Sequence, residues 1–166
     1  TAKPLFKGHV QPKIPRDLGY YDLRVPETRE AQAILAKEHG IDAFCYWHYW
    51  FGNGERLLER PFNDVLKTGN PDFPFCLCWA NESWHKKFWN PDGSFGKEML
   101  AEQKYGDESA NDAHFKSLLK AFKDERYIKV DGKPLFMIYK PLDFENVETF
   151  IAQWNSLAKQ NGFNGI

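Results

Sequence analysis

Three short stretches hold the side chains that could act on a ligand. Residues 44–50, FCYWHYW, set a histidine among aromatic rings. Residues 78–84, CWANESW, place an amide, a carboxylate and an indole directly after an apolar run, and Tyr139-Lys140 follows another such run. Flat aromatic faces stack on sugar rings, and Asn and Glu can clamp vicinal hydroxyls by hydrogen bonds. Glu82 has the chemistry of a general acid, a general base or a plain hydrogen-bond acceptor. Strand alternation puts Phe44, Tyr46, His48 and Trp50 on one face of the first stretch and Cys45, Trp47 and Tyr49 on the other, and only one set can face a ligand. His48 and Trp50, at the end of the strand, are the candidates for hydrogen bonding and stacking, with Tyr46 on their face; the alternative is a core histidine satisfied by a neighbouring polar group. Asn81, Glu82 and Trp84, with Trp79 before them, form the second group, for which the alternative is an Asn–Glu pair that ties down the loop behind it. Tyr139 lines the same cleft, while Lys140 is read as solvent-exposed. Asp22 and Arg24, near His9 and Gln11 in the first loop, are read as a pair that fixes that loop.

The elements that must position these groups alternate. A proline-punctuated loop over 1–25 precedes a helix opened by Pro26 and stopped by Gly40, with Ala31, Ile34 and Leu35 inward. A strand follows over Ile41–Tyr49, then a Gly-Asn-Gly turn and a helix over 55–67, with Leu58, Phe62, Val65 and Leu66 inward and Pro61 as an alternative start. Phe73–Trp79 is nearly continuous in apolar residues, as in a strand buried on both faces. Residues 81–105 read as a long irregular loop, and 109–123 as a helix with Phe115, Leu118, Leu119 and Phe122 in its stripe. The hairpin-like VDGKP at 130–134 introduces a strand over Leu135–Tyr139. A helix over Val147–Gln160 then carries Val147, Phe150, Ile151, Trp154, Leu157 and Ala158, and GFNGI reads as the start of another strand. Such alternation indicates parallel βαβ units, whose ligands meet the carboxyl ends of the strands. A full (β/α)8 barrel takes about 250 residues. The expected fold is therefore α/β, a single-domain partial (β/α)8 TIM barrel of three to four β/α units, with a small open α/β sheet as the competing arrangement.

Composition removes several function classes. Lys and Arg number 22 against 23 Asp and Glu, a formal net charge of -1, which supplies no field for nucleic acid or an anionic membrane. No apolar run reaches 18 residues, so no membrane insertion is expected. Cys45, Cys76 and Cys78 are read as free thiols, since an odd count makes no disulfide scaffold and the spacing makes a poor zinc site. His48, His85, His114, Asp42 and Glu82 lack compact metal-ligand spacing, and no glycine-rich nucleotide loop follows a strand. No metal and no cofactor are expected. The 14 Phe, 7 Tyr and 6 Trp exceed what packing alone explains where they cluster at 44–51 and 79–89.

Residues 3–61, 74–84 (PFCLCWANESW) and 132–141 (GKPLFMIYKP) closely resemble the WbsX-like family, described as lipopolysaccharide-biosynthesis glycosyltransferases and related to glycoside hydrolase family 99 barrels. Asn81 and Glu82 match that family's Ala-Asn-Glu motif, with Ser83 in place of the usual aromatic and Trp84 next. The family's PQFH-like and TEW-like segments would precede residue 1, and its NEW-x-EG-like segment, which supplies two catalytic glutamates in the related hydrolases, does not occur in 85–166. The resemblance thus implies an internal fragment without the first strand and the C-terminal half, a glycan half-site without the catalytic pair that glycoside hydrolysis uses. The expected function is part of a glycoside-hydrolase-like, glycan-processing barrel that is inactive alone. The alternatives are a glycosyltransferase of lipopolysaccharide, O-antigen or other surface-polysaccharide synthesis, and a non-catalytic carbohydrate-binding or structural unit. The expected partners are a glycan substrate and, through exposed strand edges, a second copy. A biosynthetic role favours the cytoplasm, and any targeting signal of the parent would lie outside these residues.

Overall fold

The structure, a computed structural model, describes residues 6–10, 15–52 and 54–166. In chain order the elements are α1 (Pro26–Glu38), β1 (Phe44–Trp50), β2 (Arg56–Leu57), α2 (Arg60–Thr68), β3 (Phe75–Trp79), β4 (Trp84–Trp89), β5 (Phe95–Ala101), α3 (Glu108–Lys123), β6 (Lys129–Val130), β7 (Lys133–Pro134), β8 (Phe136–Ile138), a 3-10 turn at Pro141–Asp143, and α4 (Val147–Gln160). The main sheet has the order β2-β1-β3-β8, with β1, β3 and β8 parallel and β2 a short antiparallel addition. Register sets Cys45 beside Cys76, Trp47 beside Cys78 and His48 beside Trp79, and continues from Trp79 to Ile138. The three parallel strands lie in the order in which the chain makes them.

All the connecting helices cover one face of this sheet. Phe62 of α2 packs on Tyr46 and Phe75, Phe122 of α3 on Phe136, and Phe150 of α4 on Trp79. Even-numbered positions of β1 and odd-numbered positions of β3 therefore point into a core completed by Leu118, Trp154 and Ala158. Cys45, Trp47, Tyr49, Cys76, Cys78 and Met137 alternate onto the other face. Between β3 and the helices, Tyr127 accepts a hydrogen bond from the Leu77 N–H at 3.3 Å and donates to the Leu135 carbonyl at 2.8 Å. Arg126 staples three segments together: it pairs with Asp124 at 2.7 Å and donates to the Pro71 and Val65 carbonyls at 2.9 and 3.2 Å. Its guanidinium also sits 5.3 Å from the Phe75 ring centroid.

Several local expectations are corrected. Residues 81–105 are not an irregular loop: β4 and β5 form an antiparallel hairpin through the Asn90-Pro91-Asp92-Gly93 turn, where Asp92 accepts from Ser94 N and Oγ. Alternation was masked there because both hairpin faces carry large apolar and charged residues. The second helix begins at Arg60 with Pro61 in its first turn, and Leu58, at φ 57°, is exposed rather than inward. In α1 the buried residues are Arg29 and Ala33, Ala31 and Leu35 are half-buried, and Ile34 is exposed rather than inward. Residues 162–164 turn, and no strand is formed over 162–166. The 130–134 hairpin is present as β6–β7, its turn made by Asp131 and Gly132 at φ 52° and 74°.

The Phe44–His48 side of β1 away from β3 pairs with no strand among the described residues. A groove of about 760 Å³ runs there, lined by Leu35, Ala36, Phe44, Tyr46 and Phe62.

The core's weight rests on α3 against α4. Trp154 packs on Phe115, Phe136 and Phe150 and donates its indole N–H to the Asn111 carbonyl at 3.1 Å. Trp154→Ala is expected to cost about 3–5 kcal/mol of unfolding free energy in urea titrations. Leu142→Ala, at a residue 98% exposed, should stay within about 0.5 kcal/mol. A loss of less than about 1 kcal/mol at Trp154 would contradict this packing.

Candidate functional site

The carboxyl ends of β3 and β8 are locked together by one side chain. Asn81, 1% exposed, donates Nδ2 to the Lys140 carbonyl at 2.8 Å and to the Tyr105 hydroxyl at 3.0 Å, and its Oδ1 accepts from the Lys140 N–H at 2.7 Å. The Tyr105 hydroxyl in turn donates to the Asn81 carbonyl at 2.9 Å. Both amide hydrogens and the amide oxygen are thus used, and the Asn81 side chain is a structural tie between the strand ends rather than a free clamp.

That tie carries the neighbouring polar groups to one place. Glu82 Oε2 receives the Lys140 ammonium at 2.6 Å, and Asp143 Oδ2 lies 3.9 Å from the same nitrogen. The pairing with Glu82, joined by the charge of Asp143, holds the Lys140 pKa above its usual value. A cleft of about 620 Å³ opens here between the strand ends and the β4–β5 hairpin, its walls including Trp84, Gln103, Tyr105 and the Glu82–Lys140 pair. Ser83 Oγ accepts from the Gln103 N–H at 2.9 Å and fixes the hairpin's base, whereas Gln103 Oε1 has no hydrogen-bond partner among the described residues. That oxygen is buried, so it is not presented to the cleft.

Aromatic rings continue from this cleft onto the open face. Tyr49 meets Trp84 edge-on at 4.9 Å, and Trp47 and Tyr139, from the strands flanking β3, meet edge-on at 5.1 Å. Trp47 and Tyr139 are 51% and 50% exposed. Glu82, Trp84 and Tyr139 of the expected set are therefore gathered at the strand ends, with Asn81 beneath them.

The other expected residues lie on the opposite side of the sheet. Tyr46 packs on Phe62, and His48, Trp50 and Trp79 are buried against α3 and α4. His48 is the satisfied core histidine: its Nε2 lies 2.8 Å from Nε2 of His114, one ring donating and the other accepting. His114 stacks on Trp50 at 4.6 Å and 3°, and the Trp79 indole N–H donates to the Trp50 carbonyl at 3.0 Å. Burial drives the His48 pKa down to about 3, with the charge of Arg56 adding to it, and lowers that of His114 well below its ordinary value. The face bearing Trp47 and Tyr49 was equally visible in the alternation; position at the strand end does not reveal which face the helices cover. Asp22 and Arg24 do pair, with Arg24 Nε donating to Asp22 Oδ1 at 2.9 Å, and Gln11 lies outside the described residues. Cys45, Cys76 and Cys78 are free thiols on the open face.

These features define a parallel α/β protein with a polar and aromatic cleft at its strand ends. The chain belongs to the family described as glycosyltransferase WbsX, whose model matches residues 1–166. It is also similar to two proteins named uncharacterized protein WxcX, from two strains of Xanthomonas campestris pv. campestris, each 40% identical over 166 residues. Those matches cover 98% of this chain but 23% of each relative's length. No solved structure matches the chain.

The histidine pair makes a pH-dependent stability. Both groups are held neutral in the fold while the unfolded chain titrates near 6.5, so their contribution is present above pH 6.5 and is lost as pH falls toward about 3. Urea denaturation at stepped pH should show little change from 7.5 to 6.5. Below that, the slope should approach about 1.4 kcal/mol per pH unit for each histidine. A flat profile between 7.5 and 5 would contradict neutral burial of the pair.

Proposed function

We propose that this chain forms the glycan-binding surface of a polysaccharide-processing protein, and that its three β/α units are part of a (β/α)8 barrel. The observation that carries the reading is the gathering of Trp47, Tyr49, Trp84 and Tyr139 with Glu82, Lys140 and Gln103 at the carboxyl ends of parallel strands. Barrel enzymes place their sites at that end. The barrel reading is supported by strands that run in chain order and by α2, α3 and α4 lying together on one face, where the helices of a doubly wound sheet are divided between both.

Within this surface, aromatic rings would stack on sugar rings while Glu82 and Lys140 hydrogen-bond hydroxyls. The two carboxylates of the cleft, Glu82 and Asp143, are both drawn to one ammonium. That arrangement serves binding and orientation. Glu82 is the group in position to accept a proton from a hydroxyl, either of an acceptor sugar or of water. Transfer of a sugar to a hydroxyl is the second reading, and the description of the family as glycosyltransferase favours it.

Binding of neutral and acidic oligosaccharides, followed by calorimetry and Trp fluorescence, tests the proposal. Tyr139→Ala should weaken binding about 3- to 10-fold through lost stacking. Glu82→Gln should weaken it about tenfold or more by removing a charged acceptor. Ile34→Ala, on the exposed side of α1, should change nothing. If no oligosaccharide binds, or if the two site variants bind like the unaltered chain, the cleft is not a glycan site.

A further inference from the structure

Lys87 and Lys97 are placed against electrostatic preference. They are direct partners in the β4–β5 ladder, so both side chains leave the same face of the hairpin, about 5 Å apart at Cβ. Like charges directly opposite each other destabilise a strand pair. The hairpin's other face does not repeat the pattern, because Lys86 is opposite Glu98 and pairs with it at 3.9 Å. Among the described residues neither Lys87 nor Lys97 makes an ion pair.

Both lysines line the strand-end cleft, together with Lys140. The acidic groups of the same cleft, Glu82 and Asp143, are both taken up by Lys140. Two uncompensated cations therefore face a concave surface whose carboxylates are already engaged, and a concave wall focuses their field. The same hairpin face carries Trp89 and Phe95, paired edge-on at 5.5 Å at the tip, and His85 and Met99 toward the base. From tip to cleft the face thus presents aromatic rings, then two cations, then the pocket with Trp84 and Tyr105.

We propose that the cleft selects an anionic sugar unit, with a carboxylate or phosphate group bridging Lys87 and Lys97 while neighbouring sugars lie along Trp89 on one side and Trp84 on the other. The inference rests on the glycan reading of the cleft and names its substrate class. The bound anion would turn the like-charge repulsion of the ladder into two charge-assisted hydrogen bonds.

The test is calorimetric titration of the chain with a trimer of glucuronic acid, the corresponding neutral glucose trimer, and inorganic pyrophosphate, each at low and at moderate salt. The uronate trimer should bind at least about tenfold more tightly than the neutral trimer, with a preference that salt weakens. The double substitution Lys87→Gln, Lys97→Gln should abolish that preference, and Lys86→Gln should preserve it. Both lysines are exposed, so the double variant should melt at the same temperature as the unaltered chain or higher, which separates loss of binding from loss of fold. Where an oligosaccharide also binds, lysine-dependent binding of pyrophosphate without a uronate preference assigns the site to a phosphate, and a lysine-dependent uronate preference without pyrophosphate binding assigns it to a carboxylate; either supports the proposal. Equal binding of uronate and neutral trimers with no lysine-dependent pyrophosphate binding, or a preference that survives the double substitution, overturns it while leaving the glycan reading intact. Lysine-dependent pyrophosphate binding with no oligosaccharide binding keeps the anion site and removes the glycan reading. Failure of all three probes to bind removes both.

Discussion

The strand-end surface depends on the carboxamide of Asn81. A buried side chain that gives two hydrogen bonds and accepts a third joins the exits of β3 and β8 and recruits Tyr105 from beyond the hairpin. No other residue of similar size could do this. Aspartate lacks the donors for the Lys140 carbonyl and the Tyr105 hydroxyl, and leucine would leave the Lys140 N–H and carbonyl buried without partners, at a cost of about 1–3 kcal/mol for each group. Lys140 is held by its backbone through Asn81 and holds Glu82 through its ammonium. The position of the carboxylate is thus set by a residue that is itself buried, with both amide hydrogens engaged within the protein.

A second constraint divides the aromatic residues by role. Helices α2, α3 and α4 cover one face of the sheet, so alternation along β1 sends Tyr46, His48 and Trp50 into a packed interior and Trp47 and Tyr49 to the other side. The interior is unusual in accommodating two imidazoles. Each satisfies the other at 2.8 Å, and Trp50 and Trp154 supply ring faces and edges around His114. Unpaired, either imidazole would carry the cost of a buried polar group; paired and neutral, they pack as rings.

Much of the fold was legible from period and punctuation. The α4 boundaries, the stripe Phe115–Leu118–Phe122 in α3, the apolar β3 and the Asp131-Gly132 turn all follow from local rules. The hairpin at 84–101 was not legible, because Trp, Phe and Lys occur on both of its faces and leave no two-residue period to read. In the candidate site, Glu82, Trp84 and Tyr139 could be found because polar and aromatic types follow apolar runs where packing does not need them. Lys87, Lys97 and Gln103 could not, since their meaning comes only from register and from the hairpin folding back over the strand ends. The tie from Asn81 to Lys140 and the contact from His48 to His114 span 59 and 66 residues, and no local pattern signals either.

The open face and the edge of β1 that pairs with no strand over Phe44–His48 among the described residues bear on one another. A sheet that keeps winding in the direction of β1, β3 and β8 adds neighbours at its edges and curls its uncovered face inward. In the proposed barrel, Trp47, Tyr49 and Tyr139 would become the upper layer of the interior, at the same end as Glu82 and the hairpin. Cys45, Cys76 and Cys78 would then pack below them as small apolar groups, a role consistent with thiols that burial keeps protonated. On that proposal the half-exposed rings of Trp47 and Tyr139 and the edge at Phe44–His48, unpaired among the described residues, would be a single feature, covered on one side by protein and at its upper rim by carbohydrate.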